Sequence, residues 1–417
     1  MRILHTADWH LGNAMHDIDR HEEAKQFLGW LKGKIVETEA QVLVVSGDIF
    51  DTANPSNEAK SLYFRFLASL LGTCCRNILV IGGNHDSASL LDAPSDILEA
   101  LNIQVVGSIY GRDLESLVRE IYDEQGEVIG LCAMIPYARE PELRPFITDR
   151  ETEFAANAHR GLYEKIWEVV EKRKAGRQIP AIAMSHLYAS GLEGRPENDQ
   201  GEGMRGHGVR DIVGNLGTIP VSVFPDGFDY VALGHIHYTT KVAKNSKIRY
   251  SGSPFVLGFD EARMPHHILL VDISAGTEPM VEKLETPQYF RFVRVEGSSE
   301  EIRGQLRELA HNPGEKPVKV EIVYEYKVGV NIREELKGSY ESDAFEVVNW
   351  KTSRSEILSA NDLADESLDN VKALGEEDVF RRLIMSKIGA PEMNEDVKKN
   401  FDEYWPLFQE LMEEVEH

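Results

Sequence analysis

The sequence predicts an α/β fold of two packed sheets with helices outside, followed by a small α+β domain and C-terminal helices. Two observations carry the fold. Apolar strand-like runs alternate with helical patterns from Met1 to about Glu285, and the pattern changes around Thr286-Pro287. A third bears on chemistry: five of the strand-like runs end in residues able to bind a metal.

Those five come in order along the chain. Ile3-Leu4-His5-Thr6-Ala7 leads into Asp8-Trp9-His10, and residues 42–45 lead into Gly47-Asp48-Ile49-Phe50-Asp51. Residues 78–81 lead into Gly83-Asn84-His85-Asp86, residues 182–184 into His186, and residues 230–233 into Gly234-His235-Ile236-His237. Open α/β sheets bind ligands outside the carboxyl ends of their strands. If the five strands share a sheet, all five clusters meet at one edge and form a polynuclear metal site.

The helices between them follow apolar periodicity. Residues 20–34 place Phe27, Leu28, Trp30 and Leu31 on one face, and residues 57–71 repeat this with Leu62, Phe66, Leu67 and Leu70. Residues 153–174 form a third helix. Further strands are expected at 104–106, 128–135, 247–251 and 267–273. Residues 193–208, rich in Gly, Pro and charge, read as a loop that either contacts substrate or is a tolerated insertion.

Beyond Thr286, strands at 290–295, 318–324 and 345–350 alternate with helices near 300–310 and 332–336. The expected boundaries are 1–285, 286–354, a polar acidic linker at 355–375, and a helical segment at 376–417. Its helices, 376–387 and 396–416, carry more apolar residues than two isolated helices bury, which suggests docking to a partner or back onto the chain.

Composition narrows the class. At 417 residues, 42% hydrophobic and 28% charged, the chain is a multi-domain globular protein with no apolar run long enough to span a membrane. It opens on a strand without signal-peptide architecture, so a cytoplasmic protein is expected. Cys74, Cys75 and Cys132 lack metal-site spacing and read as reduced thiols. The net charge of -25 argues against a nucleic-acid partner. Two things weaken the objection: part of the acid lies in the candidate metal cluster, and much lies after Glu356.

Carboxylate, imidazole and amide donors together suit manganese, iron or zinc better than magnesium or calcium. There are enough donors for two ions if Asp48 bridges them. Two ions about 3.5–4 Å apart acidify a bound water and clamp the oxygens of an in-line displacement at phosphorus. A phosphodiester or phosphomonoester hydrolase is therefore expected. His85, next to the amide of Asn84, is placed to protonate the leaving oxygen, with Asp86 holding its tautomer. His5, His16, His21, His207, His266 and His267 read as structural or solvent-facing, and Asp51 as a supporting or turn residue rather than a ligand.

These motifs, in this order, resemble the calcineurin-like metallophosphoesterases. The likeness is strongest over 1–285. It includes Asp8-Trp9-His10-Leu11-Gly12, Gly47-Asp48-Ile49-Phe50-Asp51-Thr52, Gly83-Asn84-His85-Asp86-Ser87, Gly234-His235-Ile236-His237, and Tyr250-Ser251-Gly252-Ser253-Pro254 followed by Phe259-Asp260-Glu261. It implies a four-layer α/β/β/α sandwich with two metals, manganese in vitro. One metal would be held by Asp8, His10, Asp48 and His237, the other by Asp48, Asn84, His186 and His235, with His85 catalytic. Within the family the chain is similar to DNA nucleases that form dimers with an ABC-type coiled-coil ATPase. These cut double-stranded ends as exonucleases, and single strands and hairpins as endonucleases. Residues 286–354 would then cap DNA, the helix carrying Glu377-Asp378-Val379-Phe380 would dock the ATPase, and the protein would be nucleoid-associated.

The chain departs from the family at Ser185, where Gly is usual, and at Tyr238, where a basic residue is common. Two rival functions stand beside the nuclease. One is a phosphodiesterase or phosphatase for small nucleotides or phosphoproteins, which would need neither the appended domain nor the helices. The other is an inactive scaffold, which would have no reason to keep so much buried charge.

Overall fold

Apolar residues on both sides of a strand mean that both of its faces are covered, and residues 42–45 are such a run. In the computed structural model Val42 and Val44 enter one core with Ile182 and Val231, while Leu43 and Val45 enter another with Phe27, Leu31, Phe66 and Leu67. The structure describes residues 1–16, 18–147, 154–192, 218–325, 331–353 and the single positions 398, 401 and 405. The expected loop at 193–208, the linker at 355–375 and the C-terminal helices lie outside these residues, apart from those single positions.

The first sheet runs Met280–Glu285, His267–Asp272, Arg2–Thr6, Val42–Ser46, Asn77–Ile81, Ile103–Val106. Its last four strands are parallel, and the first two pair antiparallel. The second runs Thr240–Val242, Asn245–Tyr250, Tyr230–Gly234, Ala181–His186, Val128–Ile135, Val118–Tyr122. Its middle four strands are parallel and its edge strands antiparallel. The five ligand-bearing strands therefore do not share a sheet. Three belong to the first and two to the second, because the sheets stack face to face and bring their carboxyl edges together.

Helices His21–Glu37 and Asn57–Ser69 cover the outer face of the first sheet. The second of them starts where the Ser56 side chain accepts from Ala59 N at 3.1 Å, satisfying one of the free amides of its first turn. Helix Phe154–Lys174 packs Leu162, Tyr163, Ile166 and Val170 against the second sheet. The order is helix, sheet, sheet, helix.

The chain divides into two compact units, Met1–Val293 with Glu315–Lys319, and Arg294–Gly314 with Val320–His417. Strands Arg291–Gly297, Val318–Glu325 and Glu346–Ser353 form a three-stranded sheet in that order. In the second unit helix Ser299–His311 begins on a reciprocal cap between Ser298 and Glu301. It buries Ile302, Leu306 and Leu309, spaced as one helical face.

Candidate metal centre

Parallel strands that end side by side place the next residue of each at one edge, but only if the chain turns sharply there. Asp8, His10 and Asp48 turn with φ of 54°, 43° and 49°, and His235 with 107°. Residues other than glycine pay of order 1 kcal/mol or more for this region, and such strain gathers at functional sites. Glycines permit the close approach. A Cβ on Gly83 would strike the Asp48 carboxylate, and one on Gly234 would strike the Ser46 carbonyl.

The two sheets are hydrogen-bonded at this edge. Ser46 Oγ donates to Ala232 O at 3.1 Å, His186 Nδ1 donates to Ser46 O at 2.9 Å, and His235 N donates to Asp8 Oδ1 at 2.9 Å. Three groups of donors result, with ligand atoms in each within 4.8 Å of one another. Asp8, His10 and His237 form one and Asp48, His186 and His235 another, each drawn from both sheets, while His10, Asp51 and His85 gather at the turns of the first sheet alone. Asp48 Oδ2 reaches an imidazole of each group, lying 3.3 Å from His186 Nε2 and 3.7 Å from His10 Nε2. Asn84 Oδ1 lies 2.9 Å from His186 Nε2 and 3.0 Å from His235 Nδ1. All seven predicted ligands thus come together, and all but the half-buried Asn84 are buried.

Whether cations fit here is tested by the nitrogens left over. His10 Nδ1 faces Asp51 Oδ1 at 3.2 Å and His237 Nδ1 faces Glu261 Oε1 at 2.9 Å, which leaves each Nε2. Nε2 of His10, His235 and His237 are buried without a hydrogen-bond partner among the described residues. A buried polar atom with no partner costs about 1–3 kcal/mol, and a cation would supply the missing partner. The donor set fits a divalent metal.

The charges are strongly opposed. Burial pushes Asp8 up to about 6 against the pull of His186 and His237. Burial also acts on Asp48, but His186, His10 and His85 overcome it and hold that carboxyl well below its usual range. Burial would lower His186 and His237; the carboxylates of Asp48 and Asp8 for the first, and of Glu261, Asp8 and Asp48 for the second, push both up to about 9. His235, buried and facing His186, falls to about 3. Groups driven this far apart in one cleft mark a functional site.

His85 sits half-buried with its ring centroid 4.8 Å from that of His10. Its backbone N donates to Asp48 Oδ1 at 2.9 Å, and its Nδ1 donates to the Asp51 carbonyl at 2.7 Å. The expectation that Asp86 orients His85 is therefore corrected: the Asp51 backbone does so. The Asp86 carboxylate instead accepts from the amides of Ile49, Phe50 and Gly83 at 3.1, 2.9 and 2.8 Å. Buried and raised to about 6, chiefly by that burial, it ties two ligand-bearing turns together. Asp51 faces His10 and accepts from Asn13 Nδ2 at 3.0 Å. His5 and His266 lie apart, on Tyr230 Oη and Ser253 O. Glu261 carries no role that the sequence assigns by itself, although the Phe259-Asp260-Glu261 motif points to it.

Residues 1–239 match the calcineurin-like phosphoesterase family. The chain is 31% identical to the SbcD subunit of nuclease SbcCD from Escherichia coli (strain K12) over 398 residues, 93% of this chain and 94% of that protein. It is 33% identical to the SbcD subunit of Rhodobacter capsulatus over 296 residues, 69% and 70% of the two chains. For the SbcD subunit of Bacillus subtilis (strain 168) the identity is 32% over 282 residues, 67% and 68%.

Proposed function

The chain belongs to the calcineurin-like phosphoesterase family, in its SbcD branch, and from that premise we propose that it is the nuclease subunit of an SbcCD-type DNA repair complex. It hydrolyses DNA phosphodiesters, as an exonuclease on duplex ends and an endonuclease on hairpins and single strands. The observation that carries this reading is the meeting of two donor groups, each drawn from both sheets, around the shared Asp48 carboxylate.

In this reading Asp8, His10, Asp48 and His237 hold one divalent cation, and Asp48, Asn84, His186 and His235 the other, both manganese. When bound, such a pair supplies the charge that acidifies a water and neutralises phosphate oxygens. The chain's own residues do the remaining work. His85, with its Nδ1–H tied to the Asp51 carbonyl, keeps Nε2 for the substrate, and as the imidazolium it gives its Nε2 proton to the leaving oxygen and is left neutral. Asp86 keeps the Asp48 and Asn84 turns in register through three backbone amides.

The other assignments complete the proposal. Residues 1–285 are the nuclease domain and 286–354 a DNA-capping domain. A linker at 355–375 leads to helices at 376–417, which dock an SbcC-type ABC ATPase. The subunit forms a homodimer and, with the ATPase, a heterotetramer. Among the described residues no helix is long and apolar enough to cross a membrane.

The test is cleavage of linear duplex, hairpin and single-stranded DNA beside bis-p-nitrophenyl phosphate, with manganese and with chelator. Manganese-dependent cutting of all four is expected. Hydrolysis of the small diester without DNA cleavage, with the ATPase present, would move the assignment to a small-molecule phosphodiesterase.

A further inference from the structure

We infer that Glu261 is a positioning residue of the metal centre: its carboxylate fixes the His237 ring so that Nε2 is the nitrogen left for a cation. The inference rests on the two-cation reading above. Both carboxylate oxygens are engaged, Oε1 with His237 Nδ1 at 2.9 Å and Oε2 accepting from Leu257 N at 2.8 Å. The contact is sheltered, with side chains 14% exposed for Glu261 and 6% for His237. A carboxylate held at both oxygens cannot follow a rotating imidazole, so the ring has one favoured setting. In that setting Nε2 is buried and has no partner among the described residues.

The segment bearing Glu261 is itself fastened. Phe255 and Leu257 are buried. Arg20, at the start of helix His21–Glu37, donates to Val256 O at 2.5 Å and through Nε to Glu23 Oε2 at 2.7 Å. Its guanidinium also lies 5.6 Å from the Phe255 ring centre. Glu261 is thus presented by an anchored turn, not by a free surface loop.

The two donor groups differ in what stands behind their imidazoles. In the Asp8 group both rings are backed by carboxylates, His237 by Glu261 and His10 by Asp51. In the other group His186 Nδ1 meets the Ser46 carbonyl and His235 Nδ1 the Asn84 amide oxygen. A carboxylate behind an imidazole makes it a more basic ligand and fixes its tautomer. The Asp8–His10–His237 group is therefore the tighter of the two.

Manganese titration of the full-length protein, followed by calorimetry and by the electron paramagnetic resonance of free ion, tests this without reference to turnover. The wild type should take up two ions in two steps. Glu261→Ala should weaken the tighter step by about 10–100-fold and leave the weaker one unchanged, because outer partners of metal-binding histidines carry about that much affinity. Glu261→Gln has one acceptor oxygen for the two groups, so accepting from Leu257 N turns its NH2 toward His237 Nδ1; it preserves the turn and should still weaken the tighter step. Circular dichroism and the melting temperature of the metal-free variants report the fold, and if Glu261→Ala is unfolded, Glu261→Gln decides the matter. Equal weakening of both steps, or no weakening of either in a folded variant, overturns the role of Glu261. A wild type that binds fewer than two ions instead overturns the reading beneath it, before any variant is made.

Discussion

Where the first sheet ends, its turns present Asp8, His10, Asp48 and Asn84, three oxygen donors and one imidazole; where the second ends, His186, His235 and His237 supply imidazoles alone. The negative charge and most of the left-handed backbone lie on the first side, with Asp8, His10 and Asp48 against only His235 on the second. The first edge gathers His10, Asp51 and His85 by itself, but neither edge alone assembles the two groups that meet at Asp48. Each group needs both, since His237 completes Asp8 and His10, and His186 and His235 complete Asp48. The centre is thus a junction between sheets, and its chemistry depends on how closely their ends are packed.

The comparison breaks most severely at the one residue that serves both groups. Asp48→Asn should reduce diester cleavage to the level of the metal-free protein and abolish cation uptake at both groups, measured by metal analysis and bis-p-nitrophenyl phosphate hydrolysis. Retention of two ions would remove Asp48 from the shared position. Next, His85→Asn should cut kcat by about 10²–10⁴-fold, the usual worth of a general acid or base, while the bound metal is unchanged. Loss of metal with that change would make His85 a ligand.

The packing of the junction can be probed without replacing a donor. Gly234→Ala places a methyl against the Ser46 carbonyl of the facing sheet, and also within 2.9 Å of His186 Nδ1, and should cost about 1–3 kcal/mol in denaturant unfolding. An unchanged midpoint would mean that the strand ends have room to spare. The last effect is spread over a range of pH and concerns His5, buried beside Tyr230 of the other sheet and lowered by that burial from 6.5 to about 3. The unfolded chain binds a proton below pH 6.5 that the folded chain refuses until about pH 3. Stability should therefore fall as pH drops through this window, by up to about 1.4 kcal/mol per pH unit from this group. His5→Gln should flatten that slope, and an equal slope in both proteins would contradict the assignment.

The donors were legible in the sequence because each group of them follows an apolar run within a few residues. Burial on both faces makes such runs continuous, and a ligand in the turn that follows stands out against them. The helices Asn57–Ser69 and Phe154–Lys174 and the strand Val128–Ile135 were legible for similar reasons of period and apolar length. Pairing was not. Nothing in residues 182–186 or 230–234 says that these strands leave the sheet of Arg2–Thr6, because a parallel strand reads the same in either. The edge strands Val118–Tyr122 and Met280–Glu285 went unread, since the first mixes Arg119 and Glu120 into a short run and the second is largely exposed. Asp86 and Glu261 illustrate the same limit at the site. Their partners are backbone amides and a ring placed by tertiary structure, and only the motif around each hinted at a role.

The claim on which the rest depends is that two cations sit between the sheet ends with Asp48 common to both. Anomalous diffraction at the manganese edge, from crystals grown with that metal, tests it directly. The account predicts two peaks, one beside Asp8, His10 and His237 and one beside Asn84, His186 and His235, with the Asp48 carboxylate touching each. A single peak, or peaks away from these residues, would contradict it.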